Sequence, residues 1–174
     1  MSEVEQIEEN LKKLKKLGVS ETEIIERCES KILSLKNGEL SYVFIKNIKG
    51  ADVKAHGKAI IESKNLEWNY NFAKYVKGAD IKAHGKAVIE SKEPEWNYYF
   101  ARDVKGADVM AHGRVIIESK DSRVNDWFKK NFEDEYKILK ENNLIDNAYN
   151  FIDDALDEMI KENNEENKSM QKRS

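Results

Sequence analysis

Residues 49–76 read KGADVKAHGKAIIESKNLEWNYNFAKYV, and two near copies follow directly: KGADIKAHGKAVIESKEPEWNYYFARDV at 77–104 and KGADVMAHGRVIIESKDSRVNDWF at 105–128. The copies open at Lys49, Lys77 and Lys105, so the period is constant. A fixed period of this length is typical of stacked helical units, each of which buries its apolar face only by packing on its neighbours. The repeats therefore predict an all-α fold, a right-handed α-solenoid-like stack of helix-turn-helix repeats with helical caps at its N- and C-terminal ends.

Each repeat contains a Gly-Ala-Asp motif, at residues 50–52, 78–80 and 106–108. Glycine closes a helix readily, because it adopts the left-handed conformation without a side-chain clash. Aspartate caps the next helix by accepting hydrogen bonds from its first free amide groups. The motif therefore predicts a corner between two helices. The first helix of each repeat is expected to end near Ser63, Ser91 and Ser119.

The region before residue 49 is a diverged copy of the repeat. Tyr42 and Phe44 lie one period before Tyr70 and Phe72, and terminal repeats usually diverge because one of their faces meets water. A capped amphipathic helix over residues 3–17 precedes this copy. The predicted organisation is an N-terminal helix plus divergent capping repeat at 1–48, three helical repeats at 49–132, an acidic C-terminal helical cap at 133–163 and a disordered tail at 164–174.

The pattern changes after the third repeat, where helical spacing continues without another glycine corner. This spacing predicts one long helix over about 122–142 and a last helix over about 146–163. In the last helix we expect Asp153, Asp154, Asp157 and Glu158 to face outward. The residues expected to face inward are Tyr149, Ile152, Leu156, Met159 and Ile160.

Composition is typical of a lysine- and glutamate-rich helical protein. The 174 residues are 36% charged and 40% hydrophobic, with one proline and one cysteine, Cys28. A single cysteine excludes an internal disulfide and fits a reducing compartment. The sequence has no run of about 18 apolar residues and no basic-then-apolar leader, so we expect a cytoplasmic location and no membrane partner.

Charge is unevenly distributed, although the formal net charge is only -3. Residues 50–132 carry 12 acids and 15 bases, whereas residues 133–166 carry 12 acids and three lysines. The repeats are therefore mildly basic, and the segment that follows them is strongly acidic. This asymmetry indicates either a binding polarity or, more commonly, a solvated acidic helix.

His56, His84 and His112 recur at one position of the repeat and are the first candidates for chemistry. A zinc site needs several ligands at about 2.0–2.3 Å, whereas equivalent positions of stacked helices lie about 8–10 Å apart. We therefore expect each histidine to fill the edge of the apolar face and to bond to the adjacent repeat. A metal-ligand or general-base role is the alternative, and no metal, cofactor or catalytic residue is predicted.

Gly57, Gly85 and Gly113 follow these histidines, inside a helix. Glycine there costs about 1 kcal/mol relative to alanine, so a repeated glycine needs a compensating reason. Close backbone approach between neighbouring helices is the expected reason. Phosphate binding is disfavoured, because these glycines are single residues within a helix.

Aromatic residues also recur, and rings at regular spacing invite a nucleobase-stacking hypothesis. Trp68 and Phe72 share one helical face, as do Trp96 and Phe100, so we expect most of these rings to lie in the core. Tyr99 is different, because it lies on the outward flank of its helix and is expected to be an exposed partner contact.

A polar edge of the first helix in each repeat is the best candidate surface. Residues at intervals of four stack along one edge of a helix. Because the repeats superpose, these edges predict a continuous basic ribbon able to bind an acidic protein surface or phosphates. The alternative is a solvated face in which each base pairs with the glutamate one turn on. The triplets are Lys54-Lys58-Glu62, Lys82-Lys86-Glu90 and Met110-Arg114-Glu118.

The run SKEPEWNYYFARDVKGAD at residues 91–108, followed by the helix that contains AHG, resembles short tandem helical repeats in uncharacterised proteins of low-GC Gram-positive bacteria and their phages. The likeness covers residues 49–128. It implies a bacterial host but carries no catalytic residues. In such repeats an apolar residue often stands where this chain has histidine, which implies a packing role for the histidines.

The predicted function is non-catalytic. No nucleophile elbow, phosphate loop, HExxH or CxxC motif is present, so an enzyme is not expected. We expect a helical-repeat protein that binds another protein, in a specialised form as a phage-type inhibitor of a host (defence) enzyme. The alternative is a nucleic-acid-binding protein that uses the basic ribbon. The candidate partner-binding residues are Lys54, Lys58, Lys82, Lys86, Arg114, Tyr99, Asp153 and Asp157.

Overall fold

The computed structural model describes the backbone of residues 2–171 and the side chains of residues 2–161. Over these residues the fold is all-α, a consecutive array of helices without a strand, as the repeat period predicts. The helices are α1 (Glu3–Lys16), α2 (Glu21–Ser34), α3 (Gly38–Asn47), α4 (Val53–Glu62), α5 (Leu66–Tyr75), α6 (Ile81–Ser91), α7 (Pro94–Asp103), α8 (Val109–Glu118), α9 (Ser122–Asn131) and α10 (Glu133–Gln171). None of the helices in the described part is long and apolar enough to cross a membrane.

The helices divide into two compact units, Met1–Asn131 and Phe132–Ser174. The first unit contains α1 and four helix pairs, α2/α3, α4/α5, α6/α7 and α8/α9. The pair α2/α3 lies in the region before residue 49, and the interpretation of that region as a diverged repeat stays a prediction. The second unit contains α10.

One phenylalanine per repeat forms the centre of the core of the first unit. These rings lie one period apart on the second helix of each pair, and all four are fully buried. Burial of one such ring stabilises the fold by roughly 2–3 kcal/mol. The same position therefore holds every repeat to its neighbours. The residues are Phe44, Phe72, Phe100 and Phe128.

The corners between repeats have the predicted geometry. Gly50, Gly78 and Gly106 have φ of 87°, 88° and 88°, a region that favours glycine. Oδ1 of the aspartate two residues later accepts a hydrogen bond of 2.9 Å from the third backbone amide of the next helix in every case. This aspartate is Asp52, Asp80 and Asp108 in successive repeats.

The turn inside each repeat was not predicted in detail. Its lysine adopts a left-handed conformation, which is uncommon for a residue with a side chain. A serine stabilises the turn: Ser63 Oγ donates to the Ile60 carbonyl at 2.6 Å and accepts from the Asn65 amide at 3.3 Å. The lysines are Lys36, Lys64, Lys92 and Lys120, with φ of 49°, 57°, 58° and 59°.

The predicted helices after the third repeat were wrong in their boundaries. The expected helix over 122–142 is interrupted, because α9 ends at Asn131. This is the position of the repeat at which every second helix ends. The expected break near residue 144 is absent, and α10 continues to Gln171 through most of the predicted disordered tail. Neither glycine nor proline occurs in this stretch to stop it. Residues 172–174 of that tail lie outside the described residues.

The apolar residues of α10 also differ from expectation. Tyr149, Ile152, Leu156, Met159 and Ile160 were predicted to face inward, and each is at least half exposed. The physical reason is that α10 is a lone helix in its unit, so it has no second helix there on which to bury an apolar face. That residues 133–163 cap the stack stays a prediction.

Candidate binding surfaces

Two of the recurrent histidines bond to an asparagine of the preceding repeat. Nδ1 of His84 lies 2.8 Å from Oδ1 of Asn69, and Nδ1 of His112 lies 2.7 Å from Oδ1 of Asn97. In both pairs the asparagine is 15 residues earlier in the chain, on the second helix of the preceding pair. The expectation that these histidines bond to the adjacent repeat is confirmed.

The asparagine fixes which ring nitrogen carries the proton. Nδ2 of Asn69 donates to the carbonyl of Asn65 at 2.9 Å and to that of Ile60 at 3.4 Å. The amide oxygen is therefore the group that faces His84, so Nδ1 of the ring carries the hydrogen and donates it. Burial lowers the pKa of His84 to about 4, which keeps the ring neutral at pH 7.

Each histidine ring also packs on the core phenylalanine of the preceding repeat. The ring centroids of His84 and Phe72 are 5.0 Å apart, and those of His112 and Phe100 are 4.8 Å apart. These rings explain the helical glycines. A Cβ on Gly57 would lie 3.2 Å from both Phe72 Cε1 and His84 Nε2. The glycine therefore makes room for two side-chain rings, rather than for the close backbone approach that was predicted.

The N-terminal end of this arrangement is different. Ser41 stands where the later repeats have asparagine, and neither its Oγ nor Nδ1 of His56 has a hydrogen-bond partner among the described residues. Instead, Oε1 of Glu29 lies 3.4 Å from Nε2 of His56. Burial lowers the pKa of His56, although Glu29 acts in the opposite direction.

Among the described side chains no cluster of three His, Cys, Asp or Glu residues could hold a metal ion.

The five basic residues of the ribbon are all exposed on the first helices of the repeats, whereas Met110 is half-buried. Lys58 and Lys86 approach the glutamate one turn on, with Nζ to Oε1 distances of 3.8 Å and 3.6 Å. Among the described residues, Lys54, Lys82 and Arg114 make no ion pair. The structure therefore contains features of both predictions, since some bases of the ribbon lie near a glutamate and others are unpaired.

Two grooves between α6 and α8 bring part of the ribbon together with acids. Lys82 and Lys86 line a groove of about 420 Å³ that also contains Asp108. Arg114 lines a groove of about 770 Å³ whose rim includes Glu90 and Glu118. Lys54 and Lys58 lie one repeat earlier, on α4. The ribbon is therefore a surface of mixed sign rather than a continuous row of bases.

Tyr99 is not the exposed contact that was predicted. Its ring is half-buried, 6.0 Å from the Trp96 ring and stacked on the Trp127 ring at 6.5 Å. The Arg102 guanidinium covers it from another side, 5.3 Å from the ring centroid. The outward flank of α7 faces a tryptophan of the next repeat, and this contact across repeats is what buries Tyr99.

Asp153 and Asp157 are exposed on α10, beside its apolar residues. The sequence predicted that these acids face outward, opposite a buried apolar face of the same helix. In the structure the acids border an apolar surface that is itself exposed. α10 therefore exposes carboxylates and apolar side chains next to each other.

A groove at the C-terminal ends of α3 and α5 was missed. It encloses about 860 Å³ and is lined by Tyr42, Lys46, Lys49, Tyr75 and Lys77, over an apolar floor. The sequence did carry a signal. Position 75 holds tyrosine, whereas the residues one period before and after it are Asn47 and Asp103.

Comparisons with protein-family models, with curated proteins and with solved structures gave no match. The function is therefore inferred from the geometry of the chain itself.

Proposed function

We propose that this chain is a non-catalytic helical-repeat protein that binds another protein, and that α10 carries the main contact. The supporting observation is the exposed apolar face of α10, whose large hydrophobic side chains from Leu144 to Ile160 are 50–75% exposed. Contiguous exposed apolar surface on a folded protein marks an interaction site.

The exposed residues have the spacing of a helix-binding stripe. They recur at intervals of four and three residues, which places them along one face of α10. Leu144 and Phe151 broaden that face. A stripe of this kind is complementary to the apolar face of a second helix. The residues of the stripe are Ile145, Tyr149, Ile152, Leu156 and Met159.

The acids beside the stripe define the charge of the partner. Asp146 and Asp153 directly follow Ile145 and Ile152, and Asp157 directly follows Leu156. Because residues 133–166 carry 12 acids and three lysines, two copies of α10 would repel each other. The partner that fits best is therefore a different protein that presents an amphipathic helix with basic residues at its edge.

A paired set of variants of the full chain tests this proposal. Ile152→Glu with Leu156→Glu places two charges in the stripe, whereas Asn147→Glu with Asn150→Glu adds the same charge at exposed polar positions of the same helix. The tagged chains are used to capture partners from a nuclease-treated lysate of a low-GC Gram-positive bacterium. We expect the wild type and the control to retain one stoichiometric protein, which the stripe variant loses.

The proposal fails if the wild type retains no stoichiometric protein, or if the stripe variant retains that protein equally well. Circular dichroism and the thermal midpoint of each variant show whether the fold is intact. The substituted residues are exposed, so we expect changes within about 0.5 kcal/mol in the free energy of unfolding.

A more specific form of this proposal is inhibition of a host enzyme by direct binding. This form rests only on the predicted resemblance of residues 49–128 to repeats in phage and bacterial proteins. The captured partner provides the test, since its activity should fall on addition of the wild-type chain and not on addition of the stripe variant.

Nucleic-acid binding is the alternative function. The unpaired bases Lys54, Lys82 and Arg114 support it. The carboxylates of Glu90, Asp108 and Glu118 around the same grooves act against it, because they repel phosphates.

A further inference from the structure

In two of the intervals between repeats, a tyrosine on one second helix bonds through its hydroxyl to the next second helix. In the interval between α5 and α7, the carboxylate of Asp103 accepts a hydrogen bond from the Tyr70 hydroxyl. Lys74 Nζ lies 3.1 Å from the same Oδ2 atom. In the interval between α7 and α9, Nδ2 of Asn131 lies 2.9 Å from the Tyr98 hydroxyl. The residues that end α7 and α9 thus supply the polar partner of the tyrosine in these two intervals.

Asp103 shows what this position does when it is acidic. Its side chain is 16% exposed and contacts Tyr70, Lys74 and Arg102, the last with a Nε to Oδ1 distance of 2.6 Å. These donors lower the pKa of Asp103. The interval between α5 and α7 is therefore a formed carboxylate site, occupied by a side chain of the same protein.

The interval between α3 and α5 has the donors but not the acid. Tyr42 and Lys46 stand at the positions of Tyr70 and Lys74, and Tyr75 stands at the position of Asp103. Tyr75 is 62% exposed, and the hydroxyl of Tyr42 has no hydrogen-bond partner among the described residues. The groove of about 860 Å³ opens at this place.

Further features of this groove suit an acidic ligand. Lys49 and Lys77 add two cations to its lining. Lys46 and Lys49 interact electrostatically with Glu8 and Glu21, but neither Lys46 nor Lys77 forms an ion pair among the described residues. Ile45 and Val76 belong to an apolar floor that can receive a neighbouring hydrophobic group. The volume far exceeds that of a carboxylate alone, so a ligand with an acid beside an apolar side chain fits best.

We propose that the groove between α3 and α5 binds a carboxylate group, supplied by an aspartate or glutamate next to an apolar residue in a peptide segment of another protein. The carboxylate accepts hydrogen bonds from the Tyr42 hydroxyl and Lys46 Nζ, as Asp103 does from Tyr70 and Lys74. None of the residues that line this groove belongs to α10, so the inference does not depend on the proposed function.

The test uses the full chain and defined probes, followed by NMR signals of the Tyr42 ring and Lys46. The probes are acetyl-Leu-Glu-Leu-amide, its glutamine counterpart as the neutral control, and sodium acetate as a small carboxylate, all at constant ionic strength. We expect saturable shifts with the glutamate peptide, much weaker binding of acetate, and none of the glutamine peptide. Equal binding of the two peptides would overturn the carboxylate assignment, and acetate binding as tight as the peptide would overturn the peptide assignment.

Variants make the test specific to the groove. Tyr75→Asp restores the carboxylate found at position 103, so we expect it to occupy the donors and to weaken peptide binding at least roughly tenfold. Lys46→Met removes one donor and should weaken binding in the same direction. Tyr75→Phe is the matched control and should bind like the wild type. If Tyr75→Asp and Lys46→Met bind the glutamate peptide as tightly as the wild type, the groove is not the site.

Discussion

Asn69 and His84 are joined by a hydrogen bond of 2.8 Å between Oδ1 and Nδ1, and both side chains are buried where two repeats meet. Because Asn69 also holds two backbone carbonyls of its own repeat, one side chain links the turn of a repeat to the first helix of the next. We expect Asn69→Ala to lower the free energy of unfolding by about 2–3 kcal/mol, since it leaves buried polar groups without partners.

The matched control for Asn69 is Asn125, at the end of the array. Its Nδ2 makes the equivalent bonds to the carbonyls of Ile116 and Asp121, but its Oδ1 has no partner among the described residues. Asn125→Ala should therefore lower the free energy of unfolding by about 1 kcal/mol less than Asn69→Ala does, because it removes one hydrogen bond fewer. Urea unfolding measures both variants, and equal losses would show that the bond to histidine adds nothing.

The buried histidines predict that stability falls in mild acid. Burial lowers the pKa of His84 and of His112 from 6.5 to about 4, although Asp80 and Asp108 act against this shift. Between those values the unfolded chain binds more protons than the folded chain. Stability is therefore full above pH 6.5 and is lost as the pH falls toward 4, by about 1 kcal/mol per histidine at pH 5.5.

Urea unfolding at pH 7.5, 6.5 and 5.5 checks this dependence, in a range where acids such as Asp103 stay ionised. The double variant His84→Gln and His112→Gln should be less stable at pH 7.5 and should lose much less stability between pH 7.5 and 5.5. A variant with the same slope as the wild type would mean that other groups take up the protons.

Gly85 provides a test of packing against helix propensity. Alanine is favoured over glycine by about 1 kcal/mol inside a helix. A Cβ at this position would lie 3.2 Å from Phe100 Cε1 and 3.4 Å from His112 Nε2, so the buried rings would have to move. We expect Gly85→Ala to destabilise the chain by about 1–2 kcal/mol. Ala87→Gly makes the reverse exchange at a half-buried position of the same helix, and a more stable Gly85→Ala would contradict the close approach of the rings.

The left-handed lysines give a prediction of opposite sign. Lys64 has φ of 57° and is exposed, and glycine adopts this conformation without a side-chain penalty. We expect Lys64→Gly to raise the free energy of unfolding by about 0.5–1 kcal/mol. The higher conformational entropy that glycine gives to the unfolded chain reduces this gain. Lys64→Ala removes the same charge without that relief, so equal thermal midpoints for the two variants would argue against strain at this turn.

The sequence period was sufficient to predict the helix pairs, the glycine corners and the bonding of the histidines to a neighbour. The helix pairs and corners depend on local chemistry that recurs in every period, and the bonds of His84 and His112 were expected from their place at the edge of the apolar face. Other features depend on contacts between repeats. Tyr99 is buried by Trp127, and Tyr75 matters because Asp103 is absent from its position. The continuity of α10 was missed for another reason, since helical spacing alone does not determine where a lone helix ends.

The basic ribbon provides the last prediction, which separates protein binding from nucleic-acid binding. A protein that neutralises duplex phosphates loses affinity with salt, with a slope of about 0.9 in log units for each phosphate. Because Lys58 and Lys86 approach glutamates and Asp108 lies beside Lys82, we expect weak duplex binding with a slope that corresponds to fewer than about two phosphates. Fluorescence anisotropy of a labelled 20-base-pair duplex between 50 and 200 mM KCl measures it. The variant with Lys54, Lys58, Lys82 and Lys86 all changed to Glu should fold normally, because these side chains are exposed. A wild-type slope of about four or more that is lost in this variant would establish nucleic-acid binding by the ribbon.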